Sequence, residues 1–103
     1  MKLTIALLFA LLLTTTIAHA AGDAARGNEL HHDCADCHGD DGMGDDETPQ
    51  IAGRDESYLF AQLMAFKTGK RPNRAEMMLW AIEDLNEQDL ADLAAYYASQ
   101  KGD

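Results

Sequence analysis

The sequence predicts an all-α domain of three to four short helices that do not close a core among themselves. Three observations point there. No segment alternates apolar and polar residues as a half-buried strand would. Apolar positions recur at helical spacing in two stretches, Leu59, Leu63 and Phe66, then Leu90, Leu93, Ala94 and Tyr97. Between the candidate helices lies an irregular run, GDDGMGDDETPQIAG at 39–53, rich in Gly and Asp and containing Pro49.

The first twenty of the 103 residues read as something other than the domain. Lys2 precedes an apolar run from Leu3 to Leu13, and Ala18-His19-Ala20 has the small-x-small form of a processing site. That is the pattern of a secretory signal peptide, with cleavage expected after Ala20 and delivery to the periplasm. The apolar run is well short of the roughly 20 residues a membrane-spanning helix needs. Residues 21–103 then form one domain, small enough to be marginal on its own core.

Within that domain Asp23 is a good N-cap for a first helix running to about Asp33. A second helix follows Asp55 and ends at Gly69, with Phe60 and Met64 beside its apolar stripe. After the turn KTGKRPN, Asn73 with Glu76 three residues on has the form of a capping box for a short third helix. Asn86 caps the last helix, with Leu85 and Leu90 placed as a hydrophobic staple. Glu87 and Asp89 suit its positive end and Lys101 its negative end.

The formal charge of −10 becomes more negative still if Lys2 leaves with the leader. Acidic residues are spread along the whole domain, which excludes the basic face that nucleic acid or anionic lipid requires. Such a charge favours protein partners with basic docking surfaces.

Cys34-Ala35-Asp36-Cys37-His38 places both cysteines and a histidine in five positions. A redox dithiol would have the same C-x-x-C spacing, but its usual setting is a strand-based fold, and none is predicted here. A structural zinc site needs four ligands in two separated pairs, and no Cys or His follows His38. Haem accounts for all five residues. Two thiols at i and i+3 can add across the two vinyl groups of one porphyrin, and the next histidine then lies under the iron. C-x-x-C-H is the attachment signature of haem c.

A histidine on one face leaves the opposite iron position to another residue. Methionine there makes an electron carrier; an open position makes a ligand-binding or peroxidatic centre. Met43 is too near His38 to reach the far face, and Met64 lies on an apolar helix face, where it reads as core. His31 and His32 read as solvent-facing residues of the first helix. Met77 and Met78, about 40 residues beyond His38, are far enough along the chain for it to wrap the group and return. Spacing does not choose between them.

The blocks GDAARG, CADCHGDDG, PQIAGRDESYLFAQLMAFKTGKR, MM and LNEQDLADLAAYYASQ, in this order, cover nearly all of residues 21–103. In them the chain resembles the class I c-type cytochromes, and more narrowly the c4-type and c553-type bacterial ones. The resemblance implies the class I cytochrome c fold around one covalent haem c. Cys34 and Cys37 would be the thioether sites and His38 the proximal iron ligand. Pro49 would supply the carbonyl that accepts a hydrogen bond from His38. In that family the ligand methionine stands seven residues before the Leu opening the last-helix motif, which implies Met78 rather than Met77. Gly27 and Tyr96 or Tyr97 would mark the crossing of the first and last helices.

The implied function is a periplasmic one-electron carrier that makes and breaks no substrate bond, and so is not an enzyme. Its partners would be periplasmic or membrane redox proteins, met as a monomer without stable membrane insertion. The alternative is a small cytochrome subunit of a periplasmic oxidoreductase, such as a flavocytochrome c sulfide dehydrogenase. Many c4-type proteins carry two haem domains, whereas this sequence has one motif. The acidic stretch Asp40, Asp41, Asp45, Asp46 and Glu47 lacks EF-hand spacing and reads as a solvated loop or a docking patch for a basic partner. Arg54, Arg71 and Arg74 are candidates to pair with the haem propionates, and Trp80 to pack on the porphyrin or in the core.

Overall fold

A computed structural model describes residues 22–71 and 77–102. The expected leader and its cleavage site lie outside these, as do Asn73, Arg74 and Glu76. Five helices are present among the described residues: α1 (Ala24–Leu30), α2 (His32–His38), α3 (Glu56–Lys67), α4 (Met77–Ile82) and α5 (Glu87–Ser99). No strand occurs among them, so the all-α expectation holds.

The number exceeds three to four because the first predicted helix is two. Asp23 caps α1, its carboxylate accepting from the backbone N–H of Ala25 and Arg26. At His31 the backbone flattens to φ −82°, ψ 0°. There the His31 ring Nδ1 donates to the Asn28 carbonyl at 2.5 Å. The chain then resumes as α2 and runs through the whole C-x-x-C-H segment to Gly39. That segment is therefore helical, rather than a loop following a helix ended at Asp33.

α3 begins on Asp55, whose side chain accepts from Tyr58 N. α5 begins on Asn86 in a reciprocal capping box with Asp89. Its expected basic C-terminus is absent, because the helix stops at Ser99, short of Lys101.

α5 is the scaffold. Of the nine buried apolar residues among the described ones, Leu90, Ala91, Leu93, Ala94, Ala95 and Tyr97 belong to it; Ala52, Leu59 and Ile82 come from elsewhere. α1 crosses α5 more closely than ordinary side chains allow. A Cβ on Gly27 would lie 2.1 Å from the Asp92 carbonyl oxygen and 2.6 Å from Tyr96 Cβ. The crossing partner of Gly27 is thus Tyr96, not Tyr97.

A polar clasp ties the same two helices. The buried Asp92 carboxylate accepts from Asp23 N at 2.7 Å, Gln88 Nε2 at 2.9 Å and the Arg26 guanidinium at 3.2 Å. Arg26 also donates to Asp89 at 2.6 Å. Backbone N–H and guanidinium donors hold both carboxyls below their ordinary range, against the opposing effect of burial.

Candidate functional site

α2 carries the candidate attachment residues. Cys34 and Cys37, three apart on a helix, share one face. Both are free thiols, Cys34 half-buried and Cys37 exposed. Burial pushes the Cys34 thiol up, and the adjacent Tyr97 hydroxyl offsets part of the rise. That hydroxyl is itself buried and makes no hydrogen bond of good geometry.

His38 closes the helix and is buried. Its Nδ1 lies 2.9 Å from the Pro49 carbonyl oxygen. A carbonyl only accepts, so Nδ1 carries a proton, and in the neutral ring that tautomer leaves the lone pair on Nε2.

The acidic loop is what brings Pro49 back to His38. Gly44 N donates to the His38 carbonyl at 2.8 Å, and Asp45 N to the Thr48 carbonyl at 2.8 Å. Gly44 has φ +70°, and a Cβ there would sit 2.2 Å from the Thr48 oxygen, so the turn needs glycine. Asp45 accepts from Glu47 N and Thr48 N, both at 2.8 Å, and these donors hold its carboxyl below the ordinary range. Asp41 accepts from Met43 N at 3.0 Å. Two carboxylates of the loop thus organise its backbone, a role that composition did not reveal.

α4 sorts the two methionines. Buried Ile82 marks its inward side. Met78, four residues earlier, lies on that side and is half-buried; Met77 is 53% exposed. Trp80 is 62% exposed and packs neither in the core nor towards the inward side, because it stands two residues from both Met78 and Ile82.

Other candidates fall away from the site or into other contacts. Arg54 Nε donates to the Gln50 carbonyl at 2.6 Å. Arg71 donates to Gln62 at 2.5 Å and stacks 4.6 Å over the Phe66 ring. His31 is partly exposed, with its ring 4.8 Å from Tyr96 and 5.1 Å from His32. His32 is exposed, and Met64 packs against the core cluster.

The residues present fit a large apolar group with one coordinating edge. α3 carries Leu59, Phe60, Leu63, Met64 and Phe66, yet only Leu59 is buried by protein. The rest, with Cys34 and Ile51, are left partly covered around the core. An uncommitted imidazole nitrogen and two thiols one turn apart supply the donor set that haem c requires. The cytochrome c family profile matches residues 24–101.

The chain belongs to the cytochrome c family.

Among its relatives are cytochrome c4 of Pseudomonas aeruginosa, 48% identical over 92% of this chain and 48% of that protein, and cytochrome c-554(548) of Halomonas halodenitrificans, 39% identical over 79% of this chain and all of that protein. The crystal structure of reduced recombinant cytochrome c4 from Pseudomonas stutzeri superposes with a TM-score of 0.71 at 40% identity, over 81% of this chain and 48% of that one. The chain spans about half the length of the cytochrome c4 relatives it matches. As a member of this family the cytochrome binds haem c, covalently and with iron. No helix among its described residues is long and apolar enough to cross a membrane.

Proposed function

We propose that this cytochrome is a periplasmic carrier of single electrons, with His38 and Met78 as the iron ligands. Haem c, when bound, supplies an iron that takes up or gives away one electron without breaking a bond in a substrate. Cys34 and Cys37 anchor the group from one face of α2. His38 presents Nε2 while its Nδ1–H stays on the Pro49 carbonyl, which orients the ring and raises its basicity. Met78 offers a thioether from the inward side of α4, which favours a high-potential electron carrier over an open, ligand-binding centre. The half-buried side chains Phe60, Leu63 and Met64 keep water from the group. The leader at 1–20 delivers the chain, and basic redox proteins exchange electrons with it in short-lived complexes.

Two observations support this reading: the His38 ring has its Nδ1 committed to the Pro49 carbonyl, and on α4 Met78 is half-buried while Met77 is exposed. The test is the weak far-red absorption band of a thioether-ligated ferric haem. Met78→Ala removes it, and Met77→Ala leaves it in place. The reverse result overturns the ligand assignment. Isolation of the native chain in a stable complex with a flavoprotein overturns the free-carrier reading.

A further inference from the structure

α4 has two apolar faces, and the fold uses only one. At about 100° per residue, Trp80 stands roughly 160° round the helix from both Met78 and Ile82. Met77 and Leu79 flank it. These three, with Tyr58, are the exposed large hydrophobic side chains among the described residues, at 53, 36 and 62% for Met77, Leu79 and Trp80. A six-residue helix therefore carries three of the four. Scattered exposed apolar residues are ordinary; a tryptophan at the centre of a cluster is not.

The haem cannot be what covers this face if Met78 ligates it, because Trp80 points to the opposite side of the same helix. To that extent the inference rests on the ligand reading above. The charge around the face limits the remaining occupants. Glu83 and Asp84 follow directly and are exposed. Lys67 reaches the same turn, but its ammonium donates to the carbonyls of Glu83 and Leu85. A second copy of a chain with formal charge −10 would bring like charge to like.

We infer that the outward face of α4, centred on Trp80, is the docking surface for a redox protein with an apolar centre and a basic rim. Tryptophan suits the centre of such an interface, giving large desolvated area at little cost in ordering. Glu83 and Asp84 supply the steering charge, so association weakens as salt rises.

The probe is a basic mitochondrial-type cytochrome c. With both proteins ferrous, it is titrated into the 15N-labelled holoprotein at low ionic strength. Shift changes are expected at the Trp80 indole N–H and the amides of 79–84, and are lost at high salt. Electron transfer from the ferrous protein to the ferric probe is expected to slow about tenfold in Trp80→Ser. Transfer to ferricyanide, the reduction potential and the far-red band stay unchanged. Shift changes centred on the acidic loop 40–47 overturn the inference, as does an unchanged rate in Trp80→Ser. So does concentration-dependent shifting of the same resonances without the probe, which would make the occupant a second copy. A loss of the far-red band in Trp80→Ser would make the residue structural and also overturn it. The ligand reading fails separately, on the band in Met78→Ala, and the shift map remains readable whichever methionine ligates.

Discussion

Gly27→Ala sets two effects of opposite sign against each other. Alanine is the better helix former, worth about 1 kcal/mol over glycine inside a helix. On propensity alone the variant should be more stable. The new Cβ, however, would lie 2.1 Å from the Asp92 carbonyl oxygen, where real Cβ atoms essentially never come within 3.0 Å. The obstacle is backbone, so it cannot rotate away, and α1 must back off by roughly 1 Å. Overpacking of this kind costs about 1–3 kcal/mol. The same movement stretches the 2.7 Å bond from Asp23 N to the Asp92 carboxylate beyond hydrogen-bonding range. A hydrogen bond to a charged group contributes about 1.5–3 kcal/mol. Sterics win, and the net loss is about 3 kcal/mol. For a domain of this size that lowers Tm by roughly 10–25 °C. Guanidinium unfolding of the holoprotein followed by circular dichroism measures it. Asn28→Ala, exposed and one residue on, is the control for propensity alone and should be neutral or slightly stabilising. A Gly27→Ala midpoint equal to or above wild type would refute the close crossing of α1 and α5.

The clasp predicts a pH dependence. Asp89 and Asp92 are held below their ordinary values, so the unfolded chain binds protons first as pH falls. Their contribution is complete above the unfolded carboxylate pKa of about 4 and is lost as pH drops through the lower folded values. Arg26→Met should therefore be less stable than wild type at pH 6, with the gap narrowing below about pH 4; a gap independent of pH would contradict it. Removing the haem attachment with Cys34→Ala/Cys37→Ala should abolish cooperative melting and most of the helical signal. A haem-free chain that still melts cooperatively would show that the protein core suffices.

Much of this was legible in the sequence, and the residues show why. The ends of α1, α3 and α5 are set by Asp23, Asp55 and Asn86, because capping is a local contest between side-chain oxygens and orphaned N–H groups. The α5 stripe was legible because its period is set by what it buries. Features that depend on partners distant in sequence were not. Asp92 is charged and lies between apolar neighbours, yet it is buried, and only its three donors from α1 and α5 explain that. The break at His31 rests on a ring turned back onto Asn28, and the outward aim of Trp80 depends on which side of α4 faces the core around Ile82. Neither leaves a periodic trace. The acidic loop looked like solvated charge because composition does not show that Asp41 and Asp45 spend their oxygens on backbone N–H groups.

The division of the fold into a well-buried half and an underfilled half bears on how the proposed ligands would be held. α2 has seven residues and α4 six, both far shorter than a helix that persists alone in water. α4 is anchored by one fully buried residue, Ile82, and α2 by His38. Neither would hold its position on its own contacts. α5, buried from Asp89 to Ala95 and clamped to α1 by Gly27 and the Asp92 clasp, is the best held element of the folded holoprotein, and it reaches both short helices through the core around Leu90, Leu93 and Tyr97. The group coordinated between His38 and Met78 would then join two segments that the protein only partly fixes, while α5 limits how far each can move. A carrier of electrons needs that arrangement. If the ligand helices shifted on each change of iron charge, every transfer would wait on the protein, whereas two short helices tied at one end to the iron and at the other to a rigid scaffold leave little to reorganise.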